Sequence, residues 1–83
     1  MTFRVHVRVT PRDGLLDPQG QAVERALHEL AFDAASDVRV GRAIDLEVAA
    51  ADAAEAEDLV RRMCERLLAN PVTEDFSIEV QAA

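Results

Sequence analysis

The stretch DVRVGRAIDLEVA, residues 37–49, decides the fold because its apolar residues keep one parity across a glycine. A tight two-residue hairpin at Gly41 would turn Asp45 and Glu47 towards the core, so the pattern rejects such a hairpin. Two alternatives are left: one long strand that bends or bulges at Gly41, or a loop of odd length. The residues that share the parity are Val38, Val40, Ile44, Leu46 and Val48.

Two further stretches read as strands on either side of this one. FRVHVRV, residues 3–9, alternates apolar and polar residues, which is typical of a half-buried strand. Near the C-terminus, Phe76, Ile78 and Val80 alternate in the same way. The opposite parity predicts an outer sheet face on which basic residues meet acidic ones. Its members are Arg4, His6, Arg8 and Arg39 against Asp45, Glu47 and Glu79.

The stretch LLDPQGQAVERALHEL, residues 15–30, predicts the first helix. Asp17 is suited to cap the free N–H groups, and Pro18 fits the first helical position because its missing N–H costs nothing there. We predict that the helix runs to about Phe32. Its apolar face consists of Val23, Ala26, Leu27, Leu30 and Ala31, at helical spacing.

The second helix has the clearest signals in the chain. Asp52 is a capping residue with Glu55 three positions later, and Pro71 ends the helical pattern. The acidic residues near its start are explained by the helix dipole, which favours negative charge there. Its apolar repeat consists of Ala56, Leu59, Val60, Met63, Cys64, Leu67 and Leu68.

The order strand, helix, long strand, helix, strand predicts a single α+β domain over residues 1–83. We expect a two-layer sandwich with an antiparallel or mixed sheet, and two helices covering its apolar face. A long second strand would overhang a fold of three strands. An overhanging strand invites pairing with a second copy, with or without exchange of a segment. The sequence therefore predicts at least a dimer.

Composition narrows the function. The chain has 16 acidic and 9 basic residues, no Lys, Trp or Tyr, and a net charge of −7, which argues against a nucleic-acid partner. No apolar run is long enough for a membrane span, and no signal peptide is recognised. The single cysteine, Cys64, favours the cytoplasm and leaves no internal disulfide. We also expect no structural zinc, because no paired Cys or His motif occurs.

No set of residues suited to catalysis is recognisable. Cys64 falls in the apolar repeat of the second helix and is expected to be a core residue. His6 and His28 read as surface or interface residues, since no Ser or Cys is placed as a partner. The basic N-terminal segment is left open between two uses. Arg4, Arg8 and Arg12 could receive a phosphate or an acidic partner surface, or could offset nearby carboxylates.

Three blocks of the chain together resemble PurS, the small subunit of bacterial phosphoribosylformylglycinamidine (FGAM) synthase. They are Asp17-Pro18-Gln19-Gly20, residues 37–41 and residues 67–75, and the likeness extends over about residues 3–80. The resemblance implies a fold related to the ferredoxin-like type and a dimer or dimer of dimers. Family members commonly have Tyr where this chain has Phe76, which removes a hydroxyl but keeps the apolar anchor.

The resemblance also implies a function without catalytic residues in this chain. In that family a glutaminase subunit releases ammonia, and a synthetase subunit uses ATP and Mg to install it on formylglycinamide ribonucleotide. The small subunit is expected to bridge the two and to assist ammonia transfer, with no cofactor of its own. This is a step of de novo purine synthesis.

We predict a partner interface in the resembling blocks. Gly20 is the informative member, because glycine disfavours a helix by ~1 kcal/mol and close approach of another backbone is a reason to keep it. The predicted interface residues are Asp17, Pro18, Gln19, Gly20, Arg39, Gly41, Asn70 and Pro71. Two alternatives remain: a ligand-binding regulatory domain of the ACT type, which lacks a suitable glycine-rich turn here, and an acyl-phosphate hydrolase using Arg12, which the neighbouring Asp13 opposes.

Overall fold

The computed structural model of the chain describes residues 1–83 and shows three antiparallel strands and two helices. The strands are β1 (Thr2–Pro11), β2 (Arg42–Ala49) and β3 (Glu74–Ala82), in the order β2-β1-β3. The helices are α1 (Pro18–Glu29) and α2 (Ala53–Met63), and a π-helical turn, Cys64–Leu68, extends α2. The predicted α+β class and element order are confirmed.

The core lies between the sheet and α2. The inward row of β1 is fully buried, and the paired residues of β2 and β3 continue it on both sides. From α2 the core receives Ala56, Val60 and Cys64, so the predicted burial of the cysteine is confirmed. At roughly 25 cal/mol for each Å² of buried apolar surface, this layer is the main stabiliser of the fold. The inward row of β1 consists of Phe3, Val5, Val7 and Val9.

The first helix does not cover the sheet, and this part of the prediction is wrong. Gly20 is the only buried residue of α1, and the predicted apolar face stays largely exposed, with Val23 at 39% and Leu30 at 69%. Residues 15–40, here called the arm, project from the sandwich instead. The molecule measures 50 × 26 × 14 Å, with a radius of gyration of 16.1 Å. A compact chain of this length would have a radius of about 12 Å.

The end of α1 also differs from the prediction. The helix ends at Glu29 because Ala31 adopts a left-handed conformation, with φ of 71°. The N–H of Phe32 then donates to the carbonyl of Leu27 at 2.9 Å, which closes the helix end. A left-handed residue is usually glycine, so an alanine at this position gave no stop signal.

The second strand is shorter than predicted. β2 begins at Arg42, so residues 38–41, predicted as its first part, lie before it and run back along α1. The tight hairpin is absent, as the parity required, and Gly41 forms no bulge within the strand. Ile44, Leu46 and Val48 keep the predicted inward parity.

The π-helical turn corrects the predicted apolar repeat of the second helix. The wider turn changes the phase of the side chains, so Leu67 points outward and is 82% exposed. Leu68 and Ala69 pack on the core in its place. Asp52 caps α2 as predicted, accepting a hydrogen bond from the N–H of Glu55 at 2.8 Å.

Candidate functional site

The base of the arm is fixed by the carboxylate of Asp17. One oxygen accepts from the N–H of Gly20 at 3.1 Å, which is the predicted helix cap. The other accepts from the N–H of Val40 at 2.9 Å, so the same side chain also holds the segment that returns to β2. The hydrogen bond from Val40 is the main reason that the pKa of Asp17 lies below its ordinary value, and Gly20 and Arg39 add to it.

Two glycines allow close approaches at this base. A Cβ on Gly20 would overlap the carbonyl oxygen of Val38, and a Cβ on Gly41 would overlap the carbonyl oxygen of Val9. Both neighbours belong to this chain. The backbone that explains Gly20 is therefore an internal one, and contact of Gly20 with another subunit stays a prediction.

Arg39 precedes β2, so it lies at the edge of the outer sheet face, bordering the groove beside Arg8, and not within the row of basic residues where it was expected. It reaches over the base of the arm, and its Nη2 donates to the carbonyl of Arg12 at 2.8 Å. Its Nε lies 3.9 Å from the carboxylate of Asp17 and is buried without a hydrogen-bond partner. Arg39 thus joins the arm to the loop after β1.

A second polar cluster closes the end of the sheet beside α2. Arg42 donates to both carboxylate oxygens of Glu74, at 2.7 and 3.0 Å, and to the carbonyl of Leu68 at 2.6 Å. Glu74 also accepts from the N–H of Asn70 at 2.7 Å. The guanidinium of Arg42, followed by that N–H, lowers the pKa of Glu74. Sequence reasoning missed Arg42 and Glu74, because only the strand register brings them together.

The Asn70-Pro71 turn is confirmed and is tied to β1. The Asn70 side chain accepts from the N–H of Val72 at 3.0 Å, which forms the turn. The carbonyl of Pro71 accepts from Arg12 Nη2 at 2.7 Å, and Arg12 Nε lies 3.3 Å from Asp75. The guanidinium of Arg12 thus offsets carboxylate and carbonyl groups of this chain, which is one of the two uses that the sequence left open.

These contacts gather most of the predicted interface residues where the arm joins the sandwich. A groove of about 530 Å³ there is lined by Asp17, Gln19 and Gly41 together with Arg42 and Glu74. Gly20 lies buried beside it, and Pro18 is exposed at the first turn of α1. Arg39 contacts the groove through Asp17, whereas Asn70 and Pro71 reach it only through Glu74 and Arg12.

On the outer sheet face basic residues of β1 meet acidic residues of β2, as predicted. Arg4 donates to Glu47 at 2.9 Å, and His6 pairs with Asp45 and lies 3.4 Å from Gln81. The hydrogen bond to Asp45 raises the pKa of His6. For Cys64, burial raises the pKa of the thiol. A buried thiol and a histidine held by a carboxylate on the opposite sheet face cannot act together as nucleophile and base.

Comparison with known proteins gives a single answer over almost the whole chain. Residues 4–82 match the family model PurS, described as phosphoribosylformylglycinamidine (FGAM) synthase. The phosphoribosylformylglycinamidine synthase subunit PurS of Bacillus subtilis is 42% identical over 79 residues, which are 95% of this chain and 93% of that protein.

Solved structures agree with the sequence comparison. The structure of B. subtilis PurS superposes with a TM-score of 0.85 at 42% identity, covering 95% of this chain and 98% of that one. A chain of PurLQS from Thermotoga maritima superposes with a TM-score of 0.88 at 34% identity, covering 96% of this chain and 98% of that one. The likeness therefore extends to the projecting arm as well as to the sandwich.

Proposed function

Because the chain belongs to the PurS family of FGAM synthase subunits, we propose that it holds the glutaminase and synthetase subunits of that complex in register for ammonia transfer. The chain is a subunit of a ligase of purine biosynthesis. This membership decides against the amino-acid-binding regulatory domain and the acyl-phosphate hydrolase. ATP and Mg are used by the synthetase subunit in this proposal, in the cytoplasm. No helix of the chain combines the length and the apolar character needed to cross a membrane.

One observation carries the bridging proposal: three blocks that are far apart in sequence meet at the base of the arm. Asp17 lies 2.9 Å from Val40 through its hydrogen bond, and the turn at Asn70 is joined to Arg42 through Glu74. Most of these contacts are polar and line an open groove where the arm joins the sandwich. Such a junction is suited to docking, because its shape is fixed before a partner arrives.

In the proposed function this chain positions the glutaminase and synthetase subunits and needs no catalytic side chain of its own. Ammonia must travel between two active sites as the neutral molecule, because ammonium has no free electron pair for attack. A subunit that fixes the distance and orientation of the two enzymes contributes through proximity. This fits a chain whose Cys64 is buried and whose His6 is engaged by Asp45.

Self-association is the second part of the proposal. The exposed apolar residues of the arm, among them Leu16 at 72% and Phe32 at 60%, would be covered by a second copy in a dimer or a dimer of dimers. The arm replaces the long second strand as the feature that supports a dimer, because β2 begins only at Arg42. A concentration series in analytical ultracentrifugation tests this, with Leu16→Asp expected to shift the equilibrium towards the monomer.

The bridging role is tested by reconstitution with the glutaminase and synthetase subunits of the same organism. We expect glutamine-dependent formation of the amidine product to require this chain, whereas the ammonia-dependent rate does not. Gln19→Arg, which alters the groove, should lower only the glutamine-dependent rate. Gln21→Arg is the matched control, since Gln21 is also exposed on α1 but lies outside that groove. Equal rates with and without the chain would refute the proposal.

A further inference from the structure

One basic side chain on the outer sheet face has no acidic partner. Along β1 the outward residues Arg4 and His6 each pair with a carboxylate on β2. Arg8, the next outward residue, is exposed and forms neither a salt bridge nor a side-chain hydrogen bond. The carboxylates of Asp45, Asp75 and Glu79 stand one outward position away, but Asp45 pairs with His6 and Asp75 with Arg12, so the Arg8 guanidinium is free to donate to a ligand.

The register of the sheet leaves space around this arginine. Arg8 stands opposite Ala43 on β2 and Ser77 on β3, whereas the flanking positions carry larger side chains. The small neighbours form the floor of a groove of about 720 Å³ that also includes the hydroxyl-bearing Thr10. The groove is large enough for a small metabolite.

A second guanidinium borders the same groove. Arg39 contributes to its upper end, and the Arg39 Nε is the buried nitrogen that has no hydrogen-bond partner. At the lower end lie Asp45 and Glu79, on either side of His6. The positive end and the negative end would accept one anionic group near Arg8 and would repel a second one further down the groove.

We propose that this groove binds a small molecule through one oxyanion, a phosphate or a carboxylate, held by Arg8 and Arg39. The planar fork of a guanidinium donates two parallel hydrogen bonds to either oxyanion, and Ser77 and Thr10 supply hydroxyl donors beside it. The site lies on the sheet face opposite α2. Arg39 also belongs to the predicted interface at the base of the arm, but anion binding by the single chain needs no partner subunit and so does not depend on the bridging role.

The experiment titrates the full chain with inorganic phosphate, and separately with acetate, while sodium chloride keeps the ionic strength constant. The guanidinium N–H resonances of Arg8 and Arg39 report binding in NMR spectra. We expect saturable shifts with a Kd of about 1–10 mM for at least one of the two anions, as a few charge-assisted hydrogen bonds at an open site provide. Tighter binding of phosphate would indicate a phosphate ester, and tighter binding of acetate a carboxylate.

Two variants keep the test decisive. Arg8→Gln removes the exposed guanidinium without touching the core, and the Kd should rise at least ten-fold. Ser77→Asp keeps Arg8 but places a carboxylate directly opposite it, and should abolish the shifts. Arg25→Gln, on the exposed surface of α1, should change nothing. Shifts that stay linear with concentration for both anions, or that persist unchanged in Arg8→Gln, would overturn the proposal.

Discussion

The two helices start alike and end in different environments. Each begins at an aspartate cap, each is three turns long, and each has an apolar face. α2 buries that face on the sheet, while α1 leaves its own in solvent and is held by hydrogen bonds at its base. An amphipathic pattern thus predicts that a face is to be covered but does not say by what. The sandwich is stabilised by packing, and the arm by polar contacts that fix its direction.

The largest expected effect is a difference in unfolding free energy between the same substitution in the two helices, Val to Ala. Val60→Ala creates a cavity at a fully buried position, so we expect a loss of about 2 kcal/mol and a fall in Tm of roughly 10 °C. Val23→Ala, at a position that is 39% exposed in the single chain, should cost under about 0.5 kcal/mol at low protein concentration. Thermal unfolding measures both. A cost for Val23→Ala equal to that of Val60→Ala would mean that the arm is covered even in the dilute protein.

The next effect concerns the base of the arm. In Gly20→Ala the added methyl overlaps the Val38 carbonyl, and overpacking of this kind costs about 1–3 kcal/mol. We expect faster hydrogen exchange at the Val40 amide, with the amide of Val5 on β1 unchanged. Gln21→Ala is the control, because Gln21 is exposed on the same helix. Uniform destabilisation of arm and sandwich would show that the two unfold as one unit.

Acid should open the arm before the sandwich. The pKa of Asp17 is lowered below its ordinary 3.8, so its contribution is present above pH 3.8 and is lost as the pH falls through the lower folded value. The protection factors of the Gly20 and Val40 amides, taken relative to the intrinsic exchange rate at each pH, should fall several-fold in that range, ahead of Val60 in α2. Asp17→Asn should lower the protection of these arm amides at neutral pH and make that protection nearly independent of acid. An acid response unchanged in this variant would assign it to another carboxylate.

The smallest effect lies on the outer face of the sandwich. The pKa of His6 is raised above its ordinary 6.5, so its pairing with Asp45 stabilises the fold below pH 6.5 and this contribution is lost as the pH rises through the folded value. The pair is exposed, so Tm should change little over that range. An NMR titration of the His6 ring should show Asp45→Asn lowering the pKa more than Glu47→Gln does. A large fall in Tm as the pH rises through the pKa of His6 would show that the stability of the sandwich also depends on polar contacts.

What the sequence predicted well was local or strictly periodic. The inward row of β1, the caps Asp17 and Asp52, and the turn at Asn70 follow from spacing and side-chain chemistry alone. The burial of Cys64 follows from its place in the apolar repeat. These features depend on neighbours within a few residues, and a single sequence contains that information.

The features that the sequence did not predict depend on backbone conformation or on contacts between residues far apart in the chain. The exposure of Leu67 follows from one wide helical turn, and the end of α1 follows from a left-handed alanine. The pairing of Arg42 with Glu74 requires the register of β1 with both neighbours. For the site, the interface role of the predicted blocks stays a prediction, while the internal reason for Gly20 became visible only with Val38 beside it.

The hydrogen bonds at Asp17 have a mechanical consequence. α1 extends ~18 Å from that residue, since twelve residues rise 1.5 Å each. A rotation of about 10° at Asp17 would move the far end of the helix by ~3 Å, more than the tolerance of a packed contact. The direction of the arm is therefore set by the two carboxylate oxygens of Asp17 and by the close packing at Gly20. A small rotation at Asp17 therefore produces a larger displacement of Leu30 and Phe32, and it would alter any contact that these residues make with a neighbouring subunit.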